Sequence, residues 1–181
     1  MKTKILILVF LLPFVINAQN LYTSTSSEIS FFSEAPLENI QALNKNAKSI
    51  INIKNNEIVV VVVIKRFEFE NSLMEEHFNE NYLESDKYKT AVFKGKMNEL
   101  IYFNKDGNYN VSATGELEVH GVKQKRSIEG TITVKGNTLT LNTTFNIALK
   151  DHNIKIPKAV IQNIAETLKV TATINYEPKL D

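Results

Sequence analysis

Three consecutive segments, at residues 109–119, 122–134 and 138–148, alternate regularly between apolar and polar side chains. The apolar members of the first segment are Tyr109, Val111, Ala113, Leu117 and Val119. Because successive side chains of a strand point to opposite faces, the alternation predicts strands with one buried and one solvated face. The tight connections at residues 120–121 and 135–137 favour an antiparallel meander, which forms a sandwich or closes into a barrel.

Five more strands are predicted on either side of these three, giving about eight in all. Their period-two patterns, bounded by turn residues, lie at residues 26–33, 48–54, 57–69, 90–103 and 168–176. The second and third of them form a predicted hairpin about Asn55 and Asn56, residues that tolerate the backbone of a tight turn. The chain is therefore predicted to be all-β.

Short helices are predicted at three places between the strands. The segments at residues 36–44 and 157–166 each begin with a proline, which is favoured in the first turn of a helix. Ser72 and Glu75 have the spacing of a capping box, in which each side chain satisfies the other's open backbone donor, so a helix is predicted to begin there. These helices are expected to cover the sheet or its ends.

The stretch IVVVVVIKRFEFE, residues 58–70, is apolar on both parities at its start, so both faces of this strand must be covered. If the strand continues to Phe67 and Phe69, its inward set is Val59, Val61 and Val63. The outward set is then Ile58, Val60, Val62 and Ile64. An apolar patch left in water is a liability. We therefore predict that a helix or a second subunit, in a homodimer, covers the outward set.

The first 20 residues read MKTKILILVFLLPFVINAQN, with two lysines before an apolar run and Ala18 at a plausible cleavage position. This pattern predicts a secretory signal peptide at residues 1–18 and a mature domain at 19–181. The alternative is a membrane anchor, but the run of about a dozen apolar residues falls short of the roughly 20 needed to span a bilayer. The protein is therefore predicted to be exported, either periplasmic or secreted.

Composition excludes several kinds of partner and site. The 21 Lys and Arg residues are balanced by 20 Asp and Glu, so no charge excess attracts nucleic acid. The absence of cysteine excludes disulfides, thiolate metal sites and cysteine nucleophiles. His77, His120 and His152 fall on a helix, a turn and a connection without regular ligand spacing, so neither a metal site nor another cofactor is predicted.

Several motifs, taken in order, resemble the YceI-like family of periplasmic and secreted lipid-binding proteins. They are the F-x-F at residues 67–69, the helix LMEEHFNENYLES at 73–85, the A-x-F-x-G at 91–95, the turn GELEVHGV at 115–122 and ISFFSEAPLENIQALN at 29–44. Lys89 stands where the family usually has proline after tyrosine, and residues 123–126 are more basic than is typical. The resemblance covers essentially the whole mature chain.

The resemblance implies an extended antiparallel β-barrel, lipocalin-like in outline, whose lumen holds a long isoprenoid or other lipid chain. It implies no catalytic residues. The residues expected to contact the lipid are Phe31, Val61, Val63, Phe67, Phe69, Met74, Phe78, Phe93, Val111, Leu117, Val119 and Phe145. Each of them could instead simply fill the core, as most buried aromatic and aliphatic side chains do.

The sequence therefore predicts a non-enzymatic protein of the cell envelope that carries or stores a lipid. One alternative is an enzyme, but no Ser-His-Asp or paired-carboxylate pattern supports it. The other is a structural or interaction module whose barrel is filled by its own side chains. Parity alone does not distinguish a filled barrel from a hollow one, because a barrel of about eight strands can be either.

Overall fold

The structure, a computed structural model, describes residues 20–179, and the predicted signal peptide lies outside the described residues. It confirms an all-β fold with ten strands. They are β1 (Leu21–Glu34), β2 (Asn39–Asn44), β3 (Lys48–Asn52), β4 (Glu57–Val63), β5 (Glu68–Phe69), β6 (Thr90–Met97), β7 (Gly107–Val119), β8 (Val122–Lys135), β9 (Thr138–Ala148) and β10 (Thr167–Pro178).

Eight of these strands form a closed antiparallel barrel. Their hydrogen-bonded order is β10-β9-β8-β7-β6-β4-β3-β1, and pairing of β1 with β10 closes the cylinder. The two remaining strands, β2 and β5, continue the sheet beyond the second half of β1. Closure removes the exposed edges that an open sheet of this size would leave.

Within residues 20–179, helical structure is confined to one end of the barrel. Helix α1 (Ser72–His77) continues into a π-helical turn, Phe78–Tyr82, and both lie between β5 and β6. Three single 3-10 turns cover the same end. They are Ile64–Arg66, Leu149–His152 and Lys158–Val160. We refer to this as the helical end of the barrel.

Two predicted helices are wrong. Residues 36–44 contain strand β2, whose Asn39–Asn44 pair with Glu34–Ile29 of β1, because the exposed second half of β1 offers a backbone partner. Ala42 and Asn44 are buried from this strand, a period-two pattern that outweighs the helix propensity of the segment. The segment at residues 157–166 forms only the 3-10 turn Lys158–Val160.

The predicted capping box at Ser72 is also wrong in detail. The N-cap is Asn71, whose side-chain oxygen accepts hydrogen bonds from the backbone N–H groups of Leu73 and Met74 at 2.9 and 3.4 Å. The Glu75 carboxylate accepts instead from the backbone N–H of Phe69 at 3.4 Å. Glu75 therefore links the helix to Phe69 of β5, whereas in a capping box it would accept from the N–H of Ser72.

The parity predicted for the valine run is reversed in the structure. Ile58, Val60, Val62 and Ile64 face the barrel interior, so Val61 and Val63 point outward, and Val63 is 39% exposed. The physical reason is the 3-10 turn Ile64–Arg66, which ends β4 before Phe67 and breaks the alternation that a continuous strand would carry. Phe67 still faces inward. Because the 3-10 turn separates it from β4, its orientation does not predict that of Val63.

The end of the barrel opposite the helices is packed solid. We call it the filled half, and its buried side chains are Tyr22, Ile51, Ile132, Val134, Leu139 and Tyr176. Direct strand pairs join them, including Tyr22 with Ile51, Val134 with Leu139, and Leu139 with Tyr176. The Tyr176 hydroxyl lies 2.8 Å from the Ser49 hydroxyl, so this fully buried polar group has a partner.

Candidate functional site

The half of the barrel next to the helical end contains an apolar cavity of about 170 Å³, which we call the lumen. All eight barrel strands except β3 contribute to its lining, together with residues of the helical end. Among the predicted contact residues, those that line it are Phe31, Phe67, Phe78, Phe93, Val111, Leu117, Val119 and Phe145. The inward parity predicted for β7 and β9 is therefore confirmed.

Four phenylalanines form a cluster where the lumen meets the helical end. The Phe78 ring is stacked 5.4 Å from that of Phe31 and lies 5.0 Å from that of Phe69. Phe67 is 5.3 Å from Phe31 and 5.7 Å from Phe78, the latter edge to face. These separations are those of favourable aromatic pairs, so the cluster is a packed wall that owes its position to α1 and β5.

A second pocket, of about 360 Å³, lies on the other side of this wall. We call it the outer pocket. Phe69, Met74, Leu73 and Ile40 line it, together with His77. Six residues border both cavities. They are Phe31, Phe78, Leu83, Leu149, Ile154 and Leu168. The lumen and the outer pocket are thus separated by single side chains rather than by backbone.

The rim of the outer pocket is tied together by polar contacts. The Asn163 side chain donates to the Glu38 carboxylate at 3.2 Å, and the backbone N–H of Ala165 donates to the Ser33 hydroxyl at 2.9 Å. Both bonds join the connection after the Lys158–Val160 turn to the β1–β2 region. These polar groups lie at the edge, whereas the interior of the lumen offers almost no hydrogen-bonding group.

The β7–β8 turn holds this end of the barrel together. His120 and Gly121 both have positive φ, 52° and 72°, as a two-residue hairpin turn requires. A Cβ on Gly121 would lie 2.5 Å from the Tyr88 ring, so the close approach also needs glycine. His120 Nε2 lies 2.8 Å from the Glu84 carboxylate, and its Nδ1 donates to the His152 carbonyl at 3.1 Å. The turn is therefore tied to both neighbouring connections.

His152 is fully buried behind this turn. Its Nδ1 donates to the carbonyl of Val122 at 3.1 Å, whereas its Nε2 has no partner among the described residues. Burial lowers the pKa of His152, because the charged ring would lose its hydration. Within residues 20–179, no group of three His, Asp or Glu side chains is placed to hold a metal ion.

Two sets of predicted contact residues lie outside the lumen. Phe69 and Met74 line the outer pocket instead, and Val61 and Val63 lie on the outer surface, where the prediction that they face inward is wrong. Sequence reasoning missed several lining residues, including Ile58, Val60, Val62, Ile64, Leu83, Ile128 and Leu141. In the structure Val60 pairs with Phe93, which puts both on the same face, but the sequence alone does not reveal that register.

The chain is similar in fold to three solved proteins. A polyisoprenoid binding domain from Saccharophagus degradans, implicated in plant cell wall breakdown, has a TM-score of 0.71 at 15% identity, covering 87% of this chain and 98% of that one. BcnA of Burkholderia cenocepacia has a TM-score of 0.69 at 13% identity, covering 82% and 95%. A Campylobacter jejuni YCEI protein has a TM-score of 0.57 at 11% identity, covering 99% and 100%.

No curated protein sequence matches the chain. None of the helices within residues 20–179 has the length and apolar character to cross a membrane. The sequence profile of the YceI-like domain matches residues 22–176, from the start of β1 almost to the end of β10. The chain therefore belongs to the YceI-like family.

Proposed function

We propose that this protein is a non-enzymatic binder of a long-chain isoprenoid or similar lipid, which it carries or stores in the cell envelope. The observation that carries the proposal is a lumen lined almost entirely by apolar side chains in a barrel whose other half is packed solid. The similarity to a polyisoprenoid binding domain supports the same ligand class. Export by the predicted signal peptide at residues 1–18, to the periplasm or beyond, is part of the proposal.

The size of the lumen sets a condition on the guest. A cavity of about 150 Å³ in another protein holds one benzene molecule, so the 170 Å³ lumen accommodates only a short stretch of chain as it stands. A longer chain must continue into the 360 Å³ outer pocket, past Phe31 and Phe78. Rotation of the Phe78 ring would join the two cavities. We propose that this occurs when a long lipid binds.

Apolar burial alone supplies useful affinity at this site. Each buried methylene contributes about 0.8 kcal/mol, so about ten of them supply roughly 8 kcal/mol before the cost of association is subtracted. No polar contact along the chain is needed for this. The lining therefore selects for an apolar chain by its surface rather than by individual hydrogen bonds.

Native mass spectrometry of the protein purified from its own host, followed by lipid extraction, tests the proposal. We expect a bound apolar chain, and we expect the delipidated protein to bind prenols more tightly as their length increases. Ala113→Phe places a ring in the lumen and should abolish this binding, whereas Asn110→Phe, on the outer face of the same strand, should not. A protein that carries and binds no chain would instead be an interaction module.

We also propose a homodimer that covers the outer apolar patch on β3, β4 and β6. The patch comprises Ile50, Val59, Val61, Val63 and Val92. Ile50 is 46% exposed, and Lys94 and Glu118 pair with Val59 and Val92 on the same face. In a two-fold contact, Lys94 of one copy could face Glu118 of the other.

Light scattering after gel filtration tests the dimer. We expect a dimer that becomes a monomer in Ile50→Lys, because a buried charge without a partner is costly at an interface. Thr171→Lys, on the outer face of β10 and away from the patch, is the control and should leave the dimer intact. A monomer at high concentration for the unmodified chain would contradict the proposal.

A further inference from the structure

The barrel wall is interrupted between β8 and β9. These strands pair only from Gly130 with Thr143 to Lys135 with Thr138. Along its whole length β8 pairs with β7, and β9 with β10. Residues 122–129 of β8 and 144–148 of β9 therefore face each other without a backbone ladder. We call this gap the slot, and it lies in the half of the barrel that contains the lumen.

The wall is thin where the slot begins. Glu129, Gly130 and Thr143 line both the lumen and a groove on the outer surface of the barrel. Gly130 contributes no side chain, and the Thr143 hydroxyl donates to the Glu129 carbonyl where the backbone ladder ends. Beyond this point, the separation of lumen from solvent depends on side chains rather than on a backbone ladder.

Two polar side chains of β8 bridge the slot. Gln124 Nε2 donates to the carbonyl of Asp151 at 2.7 Å, and Arg126 Nη1 donates to the carbonyl of Asn146 at 3.2 Å. In the register with β7, Gln124 pairs with Leu117 and Arg126 with Gly115. Paired residues share a face, so Gln124 and Arg126 occupy the inward row, in which Ile128 lines the lumen. A charged residue in this row requires an explanation.

The Arg126 guanidinium lies between an apolar cavity and solvent. Its acceptor Asn146 is flanked along β9 by Phe145 and Ile147, which both line the lumen, yet the Arg126 side chain remains 25% exposed. An arginine has five N–H donors. Among residues 20–179, Arg126 has two acceptors, and the charged one, the Asp151 carboxylate, is at 3.4 Å. The guanidinium therefore has unused donors and a weakly held counter-ion.

We propose that Arg126 binds the anionic head group of a lipid whose chain lies in the lumen. The ligand class is a single-chain amphiphile with a carboxylate or phosphate head, and the inference rests on the lumen being the lipid site. The planar guanidinium matches either head group with two parallel hydrogen bonds. The head group replaces the Asp151 carboxylate at Arg126, and the chain passes beside Phe145 into the lumen. The slot thus distinguishes acidic amphiphiles from neutral ones.

Binding of hexadecanoic acid and hexadecanol to the delipidated full chain tests this assignment, since the two probes share a chain and differ in the head group. We expect the acid to bind about tenfold more tightly than the alcohol, the ratio that 1.4 kcal/mol gives. Arg126→Gln should abolish the preference and leave hexadecanol affinity unchanged. Arg126→Lys should retain part of it. Lys125→Gln, on the outward face of β8, is the matched control and should keep the full preference.

Further measurements distinguish a lipid head group from a free anion, and a lost contact from a loss of folding. Asp151→Asn removes the competing carboxylate and should increase the affinity for hexadecanoic acid. Inorganic phosphate alone should compete weakly, because it lacks the chain; competition at equal concentration would indicate a free-anion site and overturn the lipid assignment. Melting temperatures of all variants show whether Arg126→Gln remains folded, and Arg126→Lys preserves the test if it does not.

The outcomes also separate this inference from the carrier function. Equal affinities of the unmodified protein for acid and alcohol would overturn the role of Arg126 but leave lipid binding intact. A loss of both probes in Arg126→Gln would show that the side chain only seals the wall. If neither probe nor any prenol binds the unmodified chain, the carrier function fails and the head-group site fails with it.

Discussion

The two halves of this barrel use the same strands in different ways. In the filled half, Ile132, Val134 and Leu139 are at most 2% exposed, and Leu139 pairs with the fully buried Tyr176. In the half around the lumen, small residues occupy inward positions. They are Ala91, Ala113, Gly130 and Ala172. A hollow in a barrel of this size therefore depends on a few small residues, while the packing of the other half holds the cylinder together.

Matched leucine truncations should give the largest difference between the halves. Truncating a buried leucine to alanine costs about 2 to 5 kcal/mol, depending on how far the neighbouring side chains can relax into the space that it leaves. Leu139 is 1% exposed and surrounded by packed side chains, so we expect Leu139→Ala to cost about 4 kcal/mol. Leu117 already borders empty space on its lumen side, so Leu117→Ala should cost about 2 kcal/mol.

Urea unfolding curves of the two variants measure this difference. Leu117→Ala should also enlarge the lumen and favour longer prenols, whereas Leu139→Ala should leave the preference for chain length unchanged. Equal losses in the free energy of unfolding would mean that the lumen side chains are packed as tightly as those of the filled half. The distinction between the two halves would then be wrong.

Matched enlargements should also cost more in the filled half than beside the lumen. Val134→Phe forces a ring into packed surroundings, and overpacking of this kind costs about 1 to 3 kcal/mol. Val111 lines the lumen beside its strand partner Gly130, so Val111→Phe has space for the ring and should cost less than about 1 kcal/mol.

Lipid binding gives the second measurement on this pair. Val111→Phe should lose prenol binding while remaining folded, and Val134→Phe should keep binding at temperatures below its lowered melting point. A Val111→Phe protein that binds prenols normally would show that the guest does not use this part of the lumen. The site would then have to lie in the outer pocket.

Much of this fold could be predicted from the sequence because its longest strands have one solvated face. The alternation of β7 and β9 fixed which side chains point inward, and Val111, Leu117 and Phe145 line the lumen as predicted. The same reasoning was wrong for Val61 and Val63. Parity is inherited along a strand only while the strand continues, and a 3-10 turn of three residues ended β4 without a proline or glycine to mark it.

Other features depend on which strands pair and on the sizes of side chains that meet across the barrel, and neither can be read from one segment of sequence. β2 forms because β3 pairs only with residues 21–23 of β1 and leaves the rest of that strand edge free, which the segment PLENIQALN does not reveal by itself. The lumen exists because Ala113 and Gly130 leave space opposite larger side chains. The slot at Arg126 requires the register of three strands to be known. Its sequence signal was a charged residue at an inward position of β8.

The smallest predicted effect is a difference in how the two halves respond to pH. Burial lowers the pKa of His152, at the helical end, below its usual 6.5, so the folded state binds fewer protons than the unfolded chain in acid. The contribution of His152 to the free energy of unfolding is therefore fully present above pH 6.5. It decreases as the pH drops toward the lowered pKa, with a slope of at most about 1.4 kcal/mol per pH unit. His152→Asn, which keeps a donor for the Val122 carbonyl, should flatten this slope.

Burial raises the pKa of Tyr176, in the filled half, above its usual 10.0, so the sign is reversed. The unfolded chain loses the phenolic proton first, and the stability contributed by Tyr176 is complete below pH 10.0 and falls as the pH rises beyond it. Tyr176→Phe should remove its contribution to the alkaline loss and leave that of Tyr22, whose pKa burial also raises. The acidic loss should not change, and Ser49 keeps its bond to the Val59 carbonyl. Urea unfolding at a series of pH values measures both slopes. His152→Asn should leave the alkaline slope unchanged, and Tyr176→Phe should leave the acidic slope unchanged. A change in either would mean that the two ends do not titrate independently. The packed half and the hollow half could then not be treated as electrostatically separate.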